Sequence, residues 1–182
     1  MTRSSAVVRA TLGLAVVVLA ACDARKVSAN SRVTTGRDSA EQVLYGARSV
    51  LATNGVRRGE VSGDTVMAFD AATRFEFQGL RTQFTTTLGR PLSLLTAPSG
   101  TFRIGAAMTI EAYGRVAIVS DTLRRRIDVT TARYDLANNQ LASDSPFVAT
   151  AGARRLSGVG FTADPGLFTV KCLKNCVGSL GP

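Results

Sequence analysis

An alternation of apolar and polar side chains with a period of two runs through the chain beyond residue 41 and constrains the fold most. Phe75 and Phe77 share one side of a segment whose other side carries Arg74, Glu76 and Gln78. Successive side chains of a strand point to opposite faces of a sheet, so this period is typical of strands with one buried face. No segment after residue 41 has a sustained helical periodicity. The sequence therefore predicts an all-β, antiparallel domain.

Two further segments alternate in the same way, and turn signals separate the segments at hairpin spacing. In one segment Thr65, Met67 and Phe69 alternate with Asp64, Val66, Ala68 and Asp70, and in the other Ile127, Val129 and Thr131 alternate with Arg126, Asp128 and Thr130. The turn signals are Asn54-Gly55, residues 70–73, residues 88–91, Asn138-Asn139 and Ala151-Gly152.

A weak repeat accompanies the strands. Phe69-Asp70, Phe102-Arg103 and Tyr134-Asp135 follow one another at intervals of 33 and 32 residues. One interpretation is a stack of similar hairpin units, each of which buries an apolar face against the next. The alternative is chance, since three imperfect copies arise easily in a β-rich chain.

The N-terminus has the pattern of a bacterial lipoprotein signal. Arg3 and Arg9 precede an apolar stretch over residues 10–21, which is too short to span a bilayer comfortably. Leu19-Ala20-Ala21-Cys22 resembles a lipobox, so we expect a signal peptide at 1–21 and a lipidated Cys22. An ordinary signal peptide or an uncleaved anchor is the alternative. Both place the chain outside the cytoplasm. Residues 22–40 are polar and predict a tether.

Composition argues against an enzyme. The chain has no histidine, which excludes Ser-His-Asp and Cys-His catalysis as well as histidine metal sites, and we expect no cofactor. A carboxylate hydrolase using Asp64, Asp70 or Asp135 is the rival. These acids stand near turns, where Asp is favoured for its local hydrogen bonds. Without residues 1–21 the net charge is about +7, but export and the dispersed basic residues argue against a nucleic-acid partner.

Five strand-and-turn segments carry a resemblance to a known family: residues 42–46, 53–58, 63–70, 133–135 and 143–148. Together they resemble the LptC family, the inner-membrane-anchored periplasmic component of the lipopolysaccharide export machine. The resemblance implies a partly open, twisted antiparallel β-jellyroll of the OstA type over residues 41–170. Residues 171–182 lie beyond the resemblance and are expected to form a tail. The resemblance implies no chemistry, but transport of lipopolysaccharide from an inner-membrane ABC transporter complex to an LptA-like bridge protein. The family commonly has an uncleaved N-terminal helix, which a lipid anchor at the periplasmic face of the inner membrane replaces here.

An open jellyroll of this kind would offer its apolar interior to acyl chains. Burial of one methylene contributes about 0.8 kcal/mol, so partial burial of a long chain supplies several kcal/mol. For each apolar residue the alternative is an ordinary place in the core. The lipid-groove candidates are Phe69, Phe75, Phe77, Phe84, Ile104, Ile110, Ile118, Tyr134 and Phe147.

The resemblance also implies how partners bind. The N-terminal strand near residues 42–51 would meet the transporter, and the C-terminal strands near residues 147–170 would meet the bridge protein by strand addition. A structural envelope lipoprotein that binds partners through its sheet edges without carrying lipid is the alternative.

Two smaller features remain. Arg124, Arg125 and Arg126 would contact lipid phosphates through their guanidinium groups, or form a solvated edge that deters aggregation. Cys172 and Cys176 lie in the expected tail, where a local disulfide is the leading interpretation in an oxidising compartment. Two thiols without a histidine would make an incomplete zinc site.

Overall fold

Nine β-strands make up the part of the chain that the computed structural model describes, residues 40–180. Each strand pairs antiparallel with the next, so the sheet order equals the chain order, and the predicted all-β, antiparallel fold is confirmed. The expectations for residues 1–21, for Cys22 and for most of the tether lie outside the described residues. The strands are β1 (Gln42–Thr53), β2 (Val56–Phe69), β3 (Arg74–Thr85), β4 (Pro91–Arg103), β5 (Thr109–Ser120), β6 (Arg125–Asp135), β7 (Gln140–Ala151), β8 (Arg154–Ala163) and β9 (Val170–Leu180).

The predicted turns fall between strands. Asn54 and Gly55 join β1 to β2 with φ angles of 51° and 74°, the left-handed values that a two-residue hairpin turn requires. Asn138 and Asn139 join β6 to β7, and Asn139 has a φ of 50°. Asn and Gly adopt this conformation at little cost, which is why these dipeptides signal hairpins.

The sheet bends along a line that crosses the middle of its strands. In each of the eight ladders the pairing is interrupted near the middle. Gly79 and Gly114 lie on this line with φ angles of 67° and 98°. A side chain at Gly79 would also collide with the carboxylate of Asp64. The backbone angle therefore favours glycine there, and a larger residue would also have to displace the Asp64 side chain.

On either side of the bend a row of inward side chains crosses the sheet. The rows face each other, because the rings of Phe84 on β3 and Tyr134 on β6 are 4.7 Å apart and Ser93 Oγ donates to the carbonyl of Pro165. The folded sheet thus encloses one apolar core. The first row contains Ala68, Phe75, Phe102, Ile110, Tyr134, Leu141 and Ala163, and the second contains Val61, Thr82, Leu95, Ile118, Ile127, Ala149 and Leu156.

The first row explains most of the repeat. Phe102 and Tyr134 occupy it on β4 and β6, one hairpin apart. Phe69 is one position out of register, because Ala68 takes the place in the row. The end of β2 also departs from the expected alternation, since Val66, Met67, Ala68 and Phe69 are all buried. A strand end covered on both faces carries no period-two signal.

The C-terminal segment differs from the expected tail. Residues 170–180 form β9, which pairs with β8, so β8 is an interior strand and β9 is the edge. Residues 147–170 therefore do not include an edge strand, and β9 is the C-terminal edge of the sheet. Within residues 40–180, β1 and β9 are not hydrogen-bonded to each other, and the sheet is open.

Candidate functional site: two cavities in the folded sheet

Two cavities open between the facing halves of the sheet, one toward each edge. The N-terminal cavity, of about 240 Å³, lies among β1 to β4. The C-terminal cavity, of about 590 Å³, lies among β6 to β9 and the connection over residues 164–169. Residues of the core separate them.

The N-terminal cavity is an apolar slot. Phe75 and Phe102 stack with their ring centroids 6.2 Å apart, and Phe77 lies beside them. Ile104 stands at the entrance with 44% of its surface exposed. The charged residue that lines the slot is Arg48, and its Nη1 forms a salt bridge with Glu60 Oε1 at 3.1 Å. The slot therefore suits hydrocarbon better than a charged group.

The structure brings Phe75, Phe77 and Ile104 together among the lipid-groove candidates. Phe69 lies apart from the slot, with the guanidinium of Arg74 4.3 Å from its ring centroid. The other candidates line neither cavity and belong to the buried core: Phe84, Ile110, Ile118, Tyr134 and Phe147.

Among the larger apolar lining residues, sequence reasoning missed four, namely Leu44, Val61, Val66 and Phe102. Phe102 carried a usable signal, because it belongs to the repeat. Leu44 had none, since β1 is exposed along most of its length.

Tyr134 is held in its neutral form at the centre of the core. Its hydroxyl donates to Asn139 Oδ1 at 2.8 Å. Burial raises the pKa of Tyr134 to about 12, and nearby Arg58 acts in the opposite direction. The pKa of Asp135 is lowered, mainly because its carboxylate accepts a hydrogen bond from the backbone N–H of Asn138 and a second from the Asn138 side chain. These groups hold the turn and the core in place.

The acids of the hydrolase alternative are scattered. Asp70 bonds Arg74 Nε at 2.8 Å, Asp135 accepts from Asn138, and Asp64 packs against Gly79. None of the three acids lines either cavity. In the described part of the chain no group of three or more Asp, Glu, His or Cys residues is placed to hold a metal ion.

The C-terminal cavity has a basic rim. Arg125 and Arg126, two of the three sequence-predicted arginines, line it, and Arg124 does not. Sequence reasoning missed Arg154 and Arg155, which also line it. Arg126 Nη2 is paired with Asp128 at 2.6 Å. The apolar lining residues are Ile127, Ala149, Ala151, Leu156, Leu167, Phe168 and Val170.

The connection between β8 and β9 forms one wall of this cavity. The Asp164 carboxylate accepts hydrogen bonds from the backbone N–H groups of Gly166, Phe168 and Thr169 at 2.6 to 3.2 Å. Arg125 Nη1 donates to the carbonyls of Leu167 and Phe168. These hydrogen bonds fix the conformation of the connection, so it forms a rigid wall of the cavity.

A disulfide joins Cys172 to Cys176 within β9. Four residues of extended strand span roughly 13 Å, yet the two Cα atoms are 5.9 Å apart. The strand therefore bulges between them, and Asn175 has a left-handed φ of 51°. A side chain on Gly158 would collide with Cys172 Sγ, so the disulfide packs on the neighbouring strand.

Comparison with known proteins adds no relative: no protein-family model matches the chain, and no curated protein matches it. Residues 40–180 contain no helix with the length and hydrophobicity needed to cross a membrane. The fold and the two cavities are the basis for a proposed function.

Proposed function

We propose that the protein is a lipid carrier of the LptC type, with an OstA-like jellyroll that binds acyl chains of lipopolysaccharide and does no chemistry on them. One observation carries the proposal: the apolar interior of the folded sheet reaches the surface at Ile104, beside Phe75 and Phe77. Each methylene that leaves water for such a slot contributes about 0.8 kcal/mol. Several methylenes would hold a lipid without trapping it.

The open sheet supports the second half of this function, the transfer of lipid between proteins. β1 and β9 each have one side without a partner strand among residues 40–180. Such edges recruit other strands. In the proposed arrangement β1 meets the inner-membrane ABC transporter complex and β9 meets an LptA-like bridge protein, so lipid enters near one edge and leaves near the other.

The location is proposed from the sequence. A lipidated Cys22 would hold the domain at the periplasmic face of the inner membrane, and residues 22–40 would let it reach its partners. Several acyl chains together anchor a protein firmly, whereas one chain is marginal.

The open edges also favour a second candidate, a structural envelope lipoprotein that binds partners without carrying lipid. Exposed apolar residues on β1, namely Val43, Tyr45 and Val50, suit protein contacts as well as transport. The two candidates differ in whether lipid touches the slot.

A photocrosslinking amino acid at Ile104 separates them. In intact cells we expect a lipopolysaccharide adduct from position 104 and none from position 88. Leu88 is the matched control, because it is an exposed aliphatic residue (82%) that lines neither cavity. A folded Ile104 variant that gives no adduct would remove the carrier function and leave the structural one.

A further inference from the structure

Two arginines stand at the same level of the C-terminal cavity on strands separated by one other strand. Arg125 on β6 pairs with Ala151 on β7, which pairs with Arg154 on β8. Neighbouring strands lie about 4.8 Å apart, so the two arginine Cα atoms are about 10 Å apart. Ala151 has a small side chain, which leaves room between the two guanidinium groups.

The positive charge of this pair is not compensated in the described structure. Within residues 40–180 the Arg154 side chain makes no ion pair, and the Arg125 acceptors are neutral carbonyl oxygens bonded through Nη1. No Asp or Glu lines the cavity. An anion that enters it would therefore meet no carboxylate among the lining residues.

An apolar row lies directly behind the two arginines. Ile127, Ala149 and Leu156 are the next inward residues on the same three strands, and they are paired with one another. Leu167 and Val170 face them from the opposite wall. Cationic groups at the rim and hydrocarbon behind them match a molecule with an anionic head and an apolar tail. A volume of about 590 Å³ is also in the usual range for ligand cavities.

We propose that the C-terminal cavity binds the phosphate-bearing end of an acylated lipid, with Arg154 and Arg125 on the phosphate and the Ile127, Ala149 and Leu156 row against the chain. This inference rests on the proposed carrier function, and it adds a second lipid-binding site that selects for an anionic group. Guanidinium groups bind phosphate oxygens through paired N–H donors, which a single neutral donor does not match.

Short amphiphiles test the site on the full chain in nanodiscs of digalactosyldiacylglycerol, a bilayer lipid without phosphate, with empty nanodiscs as the blank. The probes are hexyl phosphate, hexyl glucoside and inorganic phosphate, and binding is measured by calorimetry. Hydrogen bonds to a charged group support roughly tenfold tighter binding of hexyl phosphate than of hexyl glucoside. Burial of the hexyl chain supports at least roughly tenfold tighter binding of hexyl phosphate than of inorganic phosphate. Equal affinity for hexyl phosphate and hexyl glucoside, or for hexyl phosphate and inorganic phosphate, would overturn the proposal.

Arg154→Gln locates the binding. We expect it to weaken hexyl phosphate about fivefold or more and to change hexyl glucoside less than twofold, because only the charged contact is lost. Arg115→Gln is the charge-matched control, since Arg115 is exposed on β5 and lines neither cavity. An equal loss in both variants would assign the effect to net charge and overturn the site.

Ala151→Leu gives an independent check, because it fills the space between the arginines without removing a charge. We expect it to weaken both hexyl phosphate and hexyl glucoside, and unchanged binding of both would contradict the assignment. Failure here is separable from failure of the carrier function, which the Ile104 adduct reports at the other cavity.

Discussion

The two cavities occupy opposite ends of one folded sheet, yet they differ in charge and in construction. The N-terminal cavity is walled by strands and aromatic rings, and its arginine, Arg48, is neutralised by Glu60. One wall of the C-terminal cavity is the hydrogen-bonded connection over residues 164–169. This cavity is lined by Arg125 and Arg154, and its lining contains no Asp or Glu. The same repeated bend provides both spaces, so the backbone sets where a cavity lies and the inward residues set what enters it.

A substitution in the core between the two cavities should have the largest effect on the free energy of unfolding. Phe84 is fully buried and packs edge to face on Tyr134. We expect Phe84→Ala to lower the free energy of unfolding by about 3–5 kcal/mol, because it leaves a void between the two halves of the sheet. Urea unfolding measures this. Leu88→Ala, an exposed control, should change stability by less than about 0.5 kcal/mol.

The buried Tyr134 in the same part of the core predicts that the free energy of unfolding depends on pH. The pKa of Tyr134 is raised to about 12 from 10.0, so the folded state favours the neutral phenol. The resulting stability is fully present below pH 10 and is lost as the pH rises toward 12, by about 2–3 kcal/mol. Unfolding at pH 9 and pH 11.5 should show a smaller loss in Tyr134→Phe than in the wild type. Equal losses would contradict the assignment, since Tyr113 also has a raised pKa and remains in both proteins.

A third change should affect one end only. Replacing Cys172 and Cys176 by Ser opens a short loop, for which the chain-entropy relation gives about 2 kcal/mol of lost stability. The loss should appear as faster amide exchange in β8 and β9, while β1 to β4 stay protected. Adding a reductant to the wild type should reproduce the pattern. Uniform deprotection of the sheet would show that the two ends are not independent.

The strands and hairpins were predictable because their signals are local. Phe75 and Phe77 alternate with polar neighbours, and Asn54-Gly55 favours its turn whatever surrounds it. The bend was not predictable, since Gly79 and Gly114 each interrupt a strand alone and acquire meaning only when the ladders are aligned.

Local signals also account for only some of the residues that line the two cavities. Ile104 was found by hydrophobicity, whereas Arg154 needs the register of two ladders to be placed beside Arg125. Phe69 was named as a lipid-groove candidate from an alternating pattern, whereas in the structure four consecutive residues at the end of β2 are buried. β9 was interpreted as a tail because the family resemblance ends before it and glycines flank its two cysteines.

The smallest expected effect concerns a hydroxyl between the cavities. Thr82 Oγ1 is fully buried in the second row and has no hydrogen-bond partner among the described residues. A buried hydroxyl without a partner is destabilising, so Thr82→Val, which keeps the shape, should raise the free energy of unfolding by about 1 kcal/mol.

Thr131→Val is the matched control, because the hydroxyl of Thr131 is hydrogen-bonded to Ser145 Oγ at 2.6 Å and its loss should give no gain. Both variants are compared with the wild type by urea unfolding and by hexyl phosphate binding. A gain in stability without a change in binding would show that the centre is dry and that the two cavities are separate. A loss of stability in Thr82→Val would mean that the hydroxyl has a partner in solution. That result would contradict the predicted gain in stability.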